Sequence, residues 1–297
     1  MELRVLRYFL AVVREGSITA VAQSLHMTQP TLSKQLMELE DELGKQLFVR
    51  GKHRVRLTEA GEFMYRRAQE IVDLADRTRT ALRSQDGTIA GDVSIGCGET
   101  EGMRVLIHAM KALIADHPHV RFHLYSGNDE DVSARLEKGL VDFGLFVGNT
   151  DLSGYDFLRL PVADTWGLVL QQTHPLAQRT HITPDDMRGL ALLCSRQTLE
   201  RNELSGWLGD DFQNLNVVST HNLIGNAVLM VQEGVGCAVT ISGLINTRGT
   251  GIVFRPFAPE IRAELVVAWK KHPAFSAPAR AFLQYLQSTI AQEAADK

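Results

Sequence analysis

Residues 17–43 carry the pattern that most restricts what this chain can fold into. Ser17 is placed to cap a short helix from Ile18 to Leu25, with Val21, Ala22 and Leu25 turned inward. His26-Met27 interrupts it. Thr28 then caps a second helix, whose first turn takes Pro30 without loss because that amide has no helical partner. Leu32, Leu36, Leu39 and Leu43 recur at helical spacing and predict its buried side. A preceding helix, with Leu3, Leu6, Leu10 and Val13 on one face, stops at Gly16. Two short helices, a tight break and a third helix with a polar outer face make a helix-turn-helix. That outer face presents Gln29, Ser33 and Met37, flanked by Pro30, Thr31 and Lys34. In a major groove Gln can pair with adenine, Ser and Thr donate or accept, and Lys reaches guanine or phosphate. A three-helix core with no nucleic-acid role fits the same pattern.

Charge favours the first reading. The chain carries a net charge of −4 over 297 residues, but its first ninety residues hold a small basic excess. Lys45, Arg50, Lys52, Arg54 and Arg56 follow one another there with no acid between them. A solvated loop would also read so. Placed just after the helical motif, this run predicts a wing facing phosphate.

The residues themselves go further. Gly16-Ser17-Ile18-Thr19, Ala22-Gln23-Ser24-Leu25 and Thr28-Gln29-Pro30-Thr31-Leu32-Ser33-Lys34-Gln35 occur in order, followed by Leu39-Glu40, Leu43-Gly44, Leu47-Phe48-Val49-Arg50 and Leu57-Thr58-Glu59-Ala60-Gly61. Over Phe9–Gly61 the chain resembles the DNA-binding domain of LysR-type transcriptional regulators. The resemblance implies double-stranded promoter DNA as a partner, with RNA polymerase a further one. It puts Gln29, Pro30, Thr31, Ser33 and Lys34 on the recognition helix, and Arg50, Lys52 and Arg54 on the wing. Lys34 stands where the family more often has Arg, which weakens the case for a bidentate guanine contact there.

Thr58 is placed to cap a long helix reaching about Ser84. Met64, Ala68, Ile71, Ala75, Thr78 and Leu82 form an a/d seam along it, which predicts pairing with a second copy. The family resemblance agrees, and implies a homodimer or homotetramer. Gln85-Asp86-Gly87 breaks the helix. The expected organisation is a winged helix-turn-helix over 1–58, a linker helix over 59–90 and a sensor domain over 91–297.

Beyond residue 91, strand-like and helical segments alternate. Val93–Gly96, Val120–Tyr125 and Phe143–Val147 read as strands, with helices over Met103–Ala115 and Asp131–Lys138. The alternation recurs through Gly167–Gln171, Ala191–Cys194, the helix Asn222–Glu233, strands Cys237–Ile241 and Val266–Trp269, and a closing helix Ala277–Gln292. This is an α/β pattern. The LysR resemblance extends through Gly139-Leu140-Val141-Asp142-Phe143-Gly144, His174-Pro175-Leu176-Ala177 and Gln232-Glu233-Gly234-Val235-Gly236. It implies a two-lobed, periplasmic-binding-protein-like sensor domain, with lobe I over 91–161 and 269–297 and lobe II over 162–268. Thr240-Ile241-Ser242 stands where the family usually has a Pro.

Several chemistries are set aside. Gly96, Gly98 and Gly102 have the wrong spacing for a dinucleotide loop, and Glu99 and Glu101 would face its pyrophosphate. On a strand His119 and His123 lie about 13 Å apart, too far to share a metal ion. No nucleophile elbow, Walker loop or zinc-protease motif occurs, so no catalytic residue, metal or cofactor is expected. Cys97, Cys194 and Cys237 are scattered and fit reduced thiols. No apolar run is long enough to span a membrane, and the charged amphipathic opening does not read as a signal peptide. A cytoplasmic regulator is expected. A solute-binding protein with no role on DNA is the alternative.

An effector of such a domain sits between the lobes, at the carboxyl ends of the strands. Those ends offer Glu99, Thr100, Glu101, Ser126 and Asn128 from lobe I. Lobe II offers Ser195, Arg196, Thr198, His221, Asn222, Thr240 and Ser242. Capping is an equal use for Thr100 and Asn222. The acids favour a cationic or hydrogen-donating end near Glu99, with an anionic end near Arg196.

Overall fold

The computed structural model describes residues 1–49, 55–83, 89–273 and 275–295, and within the last turns of the 59–83 helix it leaves out the side chains of 77 and 80–83. The chain divides into two compact units, Met1–Arg83 and Ser84–Lys297.

The first unit runs α1 (Leu3–Glu15), α2 (Ile18–Ser24), α3 (Gln29–Leu43), β1 (Phe48–Val49), β2 (Arg56–Leu57) and α4 (Glu59–Arg83). Its boundaries follow from local chemistry. Gly16, at φ 66, ends α1 in a left-handed turn that a side chain would strain. The Ser17 hydroxyl accepts from the Ala20 amide to start α2, and the Thr28 hydroxyl accepts from the Thr31 amide to start α3. Leu6, Phe9, Leu10, Val21, Leu32, Leu36 and Leu39 fill the core.

The wing is fastened by one carboxylate. Glu40 is buried on α3, and its Oε1 accepts from the amides of Leu47 at 2.6 Å and Phe48 at 3.0 Å. Phe48 in turn packs on Phe9, ring centroids 5.3 Å apart. Thr58 donates to Gln46 O and accepts from the Gly61 amide at 3.0 Å, tying β2 to α4. Gly61 has no room for a side chain, since a Cβ there would lie 2.0 Å from Leu47 O.

Part of the seam expected on α4 is used inside this unit. Met64 and Ala68 are buried in its core together with Val72, against α1. Their expected place in a pairing seam is corrected: the apolar face is satisfied within the same chain, because Arg7, Leu6 and Leu10 of α1 bring a partner surface to it and Arg7 pairs with Asp76. Ile71 and Ala75 are half-buried, Thr78 is exposed, and the Leu82 side chain lies outside those described.

The second unit runs β3 (Gly91–Cys97), α5 (Met103–Asp116), β4 (Val120–Ser126), α6 (Asp129–Glu137), β5 (Phe143–Val147), β6 (Tyr155–Gln171), β7 (Leu192–Ser195), α7 (Arg196–Glu200), α8 (Ser205–Leu208), β8 (Val217–His221), α9 (Ile224–Gln232), β9 (Cys237–Ile241), β10 (Ile252–Pro256), β11 (Arg262–Lys270) and α10 (Ala277–Ala295). Among the described residues the strands join in the order β4-β3-β5-β11-β6-β9-β7-β8, with β10 added to β6. The strands at each end are parallel, β3 with β4 and β5, and β7 with β8 and β9. At the centre β11 runs antiparallel to β5 and β6, and β6 to β9 and β10. The sheet is therefore mixed.

β6 is 17 residues long and enters both halves of this sheet, so two lobes hang on one ladder. Lobe I packs α5 and α10 on its strands through Leu106, Leu113, Phe143, Phe282 and Leu286. α6 covers the other face with Val132 and Leu136. Lobe II has its own core around Leu168, Leu192, Val239 and Phe257, with Trp207 stacked on Phe257.

Removing the Glu40 carboxylate leaves two buried amides without an acceptor. Glu40→Ala should destabilise the first unit by about 2–4 kcal/mol, and Glu40→Gln, which keeps one acceptor, by less. Urea unfolding followed by circular dichroism checks this ordering.

Candidate functional site

Two regions gather functional groups. The first is the outer face of α3. Gln29, Pro30, Thr31, Lys34 and Met37 are exposed on its N-terminal half, and Ser33 is half-buried. The opposite side is fixed by Leu32, Leu36 and Leu39 in the core, so the helix cannot roll these groups inward. Thr31 is partly committed, its hydroxyl lying 2.7 Å from that of Thr28 in the cap. Lys34 makes only a long 3.8 Å contact with Glu38, both side chains being well exposed, and so remains available to an anion. Arg50, Lys52 and Arg54, expected on the wing, lie outside the described residues.

The second region is a cavity of about 100 Å³ between the lobes, where the carboxyl ends of β3, β4, β5, β7 and β8 converge on β9 and β6. Seven of the expected residues line it: Glu99, Asn128, Ser195, Thr198, His221, Asn222 and Thr240. Asn128 and Ser195 also cap helices, accepting from the amides of Asp131 at 2.8 Å and Thr198 at 3.1 Å.

The other five do not line this cavity, and each has a local reason. Thr100 is buried, accepts from the Gly102 amide at 2.9 Å and donates to Asp164, so it closes the start of α5. Glu101 pairs with Arg104 and packs over Gly243. Ser126 closes β4 beside the cavity without lining it. Ser242 accepts from the Thr165 amide at 3.1 Å, which fastens β9 to β6. Arg196 pairs with Glu200 at 2.7 Å and does not line the cavity, so the anionic end expected beside it finds no cation in the lining.

Sequence reasoning put Asp129 on the rim with Glu130 and Asp131, and missed Val147, Trp166, Gln197, Glu203, Leu223, Ile224, Val239, Ile241 and Leu244, which also line the space. Asp129 is 2% exposed. Arg201 pairs with it at 2.5 Å and donates to Asn149 O at 2.8 Å, while Thr150 donates to the same carboxylate. The Gln197 side chain accepts from the Asp129 amide at 3.0 Å. Lobe II thereby grips the start of α6 in lobe I. Nothing in the acidic run Asp129-Glu130-Asp131 marks its first member for burial. The signal lies in Arg201, some seventy residues away.

Two titratable groups in the cavity are left short of partners. Glu203 Oε1 and His221 Nδ1 are buried and take part in no hydrogen bond. Burial pushes the Glu203 carboxyl up to about 7, opposed by Arg201 and by a hydrogen bond to Thr198, with Asp129 adding to the rise. Burial also pushes His221 below its usual range, which favours its neutral form.

Known proteins bear on both regions. Residues 3–62 match the family described as bacterial regulatory helix-turn-helix protein, lysR family, and residues 86–291 match the LysR substrate binding domain. The chain is 30% identical over 279 residues to the Hca operon transcriptional activator HcaR of Escherichia coli (strain K12), covering 91% of this chain and 92% of that one. It is 24% identical over 306 residues to the nitrogen assimilation regulatory protein nac of the same organism, covering 100% and 98%. Among solved structures, CbnR, a LysR family transcriptional regulator, superposes with a TM-score of 0.75 at 18% identity, over 98% of this chain and 99% of that one. Full-length CbnR complexed with its target DNA gives 0.74 at 18% identity, over 97% and 100%. These likenesses carry the fold.

The Glu203 shift has a sign that can be checked. Its folded value lies above the ordinary 4.5, so the folded state holds the proton more tightly. The resulting stability is present below about 4.5 and is lost as pH rises through about 7. Glu203→Gln should remove that loss, gaining about 1–3 kcal/mol relative to wild type at pH 8 and nothing at pH 4. Thermal melts of both proteins across this range measure it.

Proposed function

The chain belongs to the LysR family of bacterial regulators, and on that premise we propose how its parts divide the work. It is a DNA-binding transcription regulator whose second unit is an effector-binding domain. Gln29 and Ser33 read base edges, with Pro30, Thr31 and Lys34 beside them. Arg50, Lys52 and Arg54 hold the phosphate backbone or the adjacent minor groove. The observation that carries this division is the exposed N-terminal half of α3, held outward by the buried leucines behind it. A small molecule enters the interlobe cavity, and its occupancy changes how the protein engages promoter DNA and RNA polymerase. No reaction is assigned to the chain. As a reader of promoter DNA, the protein works in the cytoplasm in this reading. Among the described residues no helix is long and apolar enough to cross a membrane.

A second copy pairs along α4 to make the dimer, and higher assembly gives the tetramer. With Met64 and Ala68 committed inward, pairing falls to Ile71, Ala75, Thr78 and Leu82, joined by Leu74, which is 46% exposed. Leu74→Asp puts a charge on that face without touching the core, and should weaken the dimer at least tenfold in sedimentation. Unchanged assembly would place the contact elsewhere.

Gln29→Ala should cost about 1–3 kcal/mol on the preferred operator and relax its sequence preference. Arg54→Ala should instead weaken all duplexes alike and flatten the salt dependence. Binding-site selection with wild type and Gln29→Ala tests the assignment. An unchanged preferred sequence would contradict it.

A further inference from the structure

The charges around the cavity are unbalanced. Glu99, Asp129 and Glu203 line it, whereas no Lys or Arg does among the described residues. Arg201 is turned onto Asp129, Asn149 and Thr150, and neutralises the Asp129 carboxylate. The start of α5, where an anion could otherwise approach backbone amides, is already closed by Thr100 and the Asp164 carboxyl behind it. His221 is the remaining base, and burial favours its neutral form. A carboxylate entering this space meets like charge and no cation.

The unmet hydrogen bonds point the same way. Glu203 Oε1 is buried without a donor, on a carboxyl fixed by Thr198 and pressed against the Gly148 backbone, where a Cβ would come within 3.0 Å of it. An acceptor kept this way is costly unless something donates to it. The same cavity is also lined by the apolar side chains of Val147, Trp166, Ile224, Val239, Ile241 and Leu244. A dry cavity of about 150 Å³ accepts a benzene ring. The 100 Å³ here suits a smaller, compact body.

We propose that this cavity takes a small primary amine, its ammonium donating to the Glu203 carboxylate and its hydrocarbon body against Trp166 and Ile241. The proposal rests on the interlobe cavity being the effector site. Proton balance follows from the contact. Where Glu203 is protonated in the free protein, its proton leaves to buffer as the ammonium, already charged, pairs with the carboxylate. The other charged groups facing Glu203 are Arg201 on its own segment, Asp129 at the start of α6, Glu99 after β3 and His221 at the end of β8. Arg201 and Asp129 form one pair and leave Glu203 as the proton source near neutrality.

The probes are isobutylamine, isobutyrate and isobutanol, which share one skeleton and differ in charge. Each is titrated calorimetrically into the full-length protein at pH 6, 7 and 8. Isobutylamine should bind at least tenfold more tightly than isobutyrate, tighten about tenfold from pH 6 to 8, and release protons in buffers of different ionisation enthalpy. Glu203→Gln should weaken the amine at least tenfold and abolish both proton release and pH dependence. Glu203→Ala, as a second variant, should do the same. Failure of isobutylamine to bind, equal or tighter binding of isobutyrate, or an amine affinity unchanged in Glu203→Gln overturns the proposal. Leu244→Trp, which fills the cavity, separates the two readings. If isobutyrate is preferred and lost in Leu244→Trp, the cavity stands and the amine falls. If bound probe is unaffected by Leu244→Trp, the cavity reading itself fails.

Discussion

The antiparallel ladder between β6 and β11 is the constraint on which the second unit depends. β6 pairs with β11 from Tyr155 to Thr165, then with β9 and β10 from Trp166 to Gln171. One strand thus belongs to two half-sheets, and parallel strands lie to either side. Their carboxyl ends therefore face each other across the crossing, which brings several groups just beyond the strand ends to the space between lobes. Glu99, Asn128, Ser195 and His221 reach it for this reason alone. The register irregularity between Glu264 and Val266 sits at the same crossing, beside Leu265, whose Cδ1 fills the place a Cβ on Gly102 would occupy. The start of α5 is consequently seated directly on the crossing strand.

Across the cavity the lobes also meet through Asp129 and Arg201. A carboxylate so buried is tolerable only with a cation and donors around it, and Arg201 and Thr150 supply them. This contact engages Arg201, and among the described residues no Lys or Arg lines the cavity. The acids that remain, Glu99 and Glu203, then set the sign of what the cavity accepts. Structural fastening and ligand selectivity are thus consequences of the same pairing.

Much of this was legible beforehand, and the exceptions share a cause. The helix-turn-helix could be read because its signals are local: Ser17 and Thr28 cap, Gly16 stops, and Leu32, Leu36 and Leu39 repeat. The strands of β3, β5 and β9 announced themselves as short apolar runs. β8 and β10 did not, because Val217–His221 alternates half-buried with exposed residues and has no apolar run, and Ile252–Pro256 is short and ends in Pro. Only the apolar end of β6 was visible, since its first half carries Asp156, Arg159 and Pro161. Pocket residues at strand ends were found from topology. Those defined by tertiary pairing were not: Arg196 and Arg201 differ little in sequence context, yet one pairs with Glu200 on the surface and the other crosses to Asp129. Met64 and Ala68 fit a heptad seam, and heptad spacing cannot tell a partner in another chain from α1 in the same one.

The central claim is that a sequence-specific DNA reader and a small-molecule sensor share this chain. Fluorescence anisotropy with the duplex upstream of the protein's own gene tests it most directly, at fixed salt and against a scrambled duplex of equal length and composition. The account predicts binding at least about a thousandfold tighter to the native duplex than to the scrambled one. Equal affinity for the two, falling together as salt is raised, would contradict it and leave only a basic surface that binds nucleic acid without reading it.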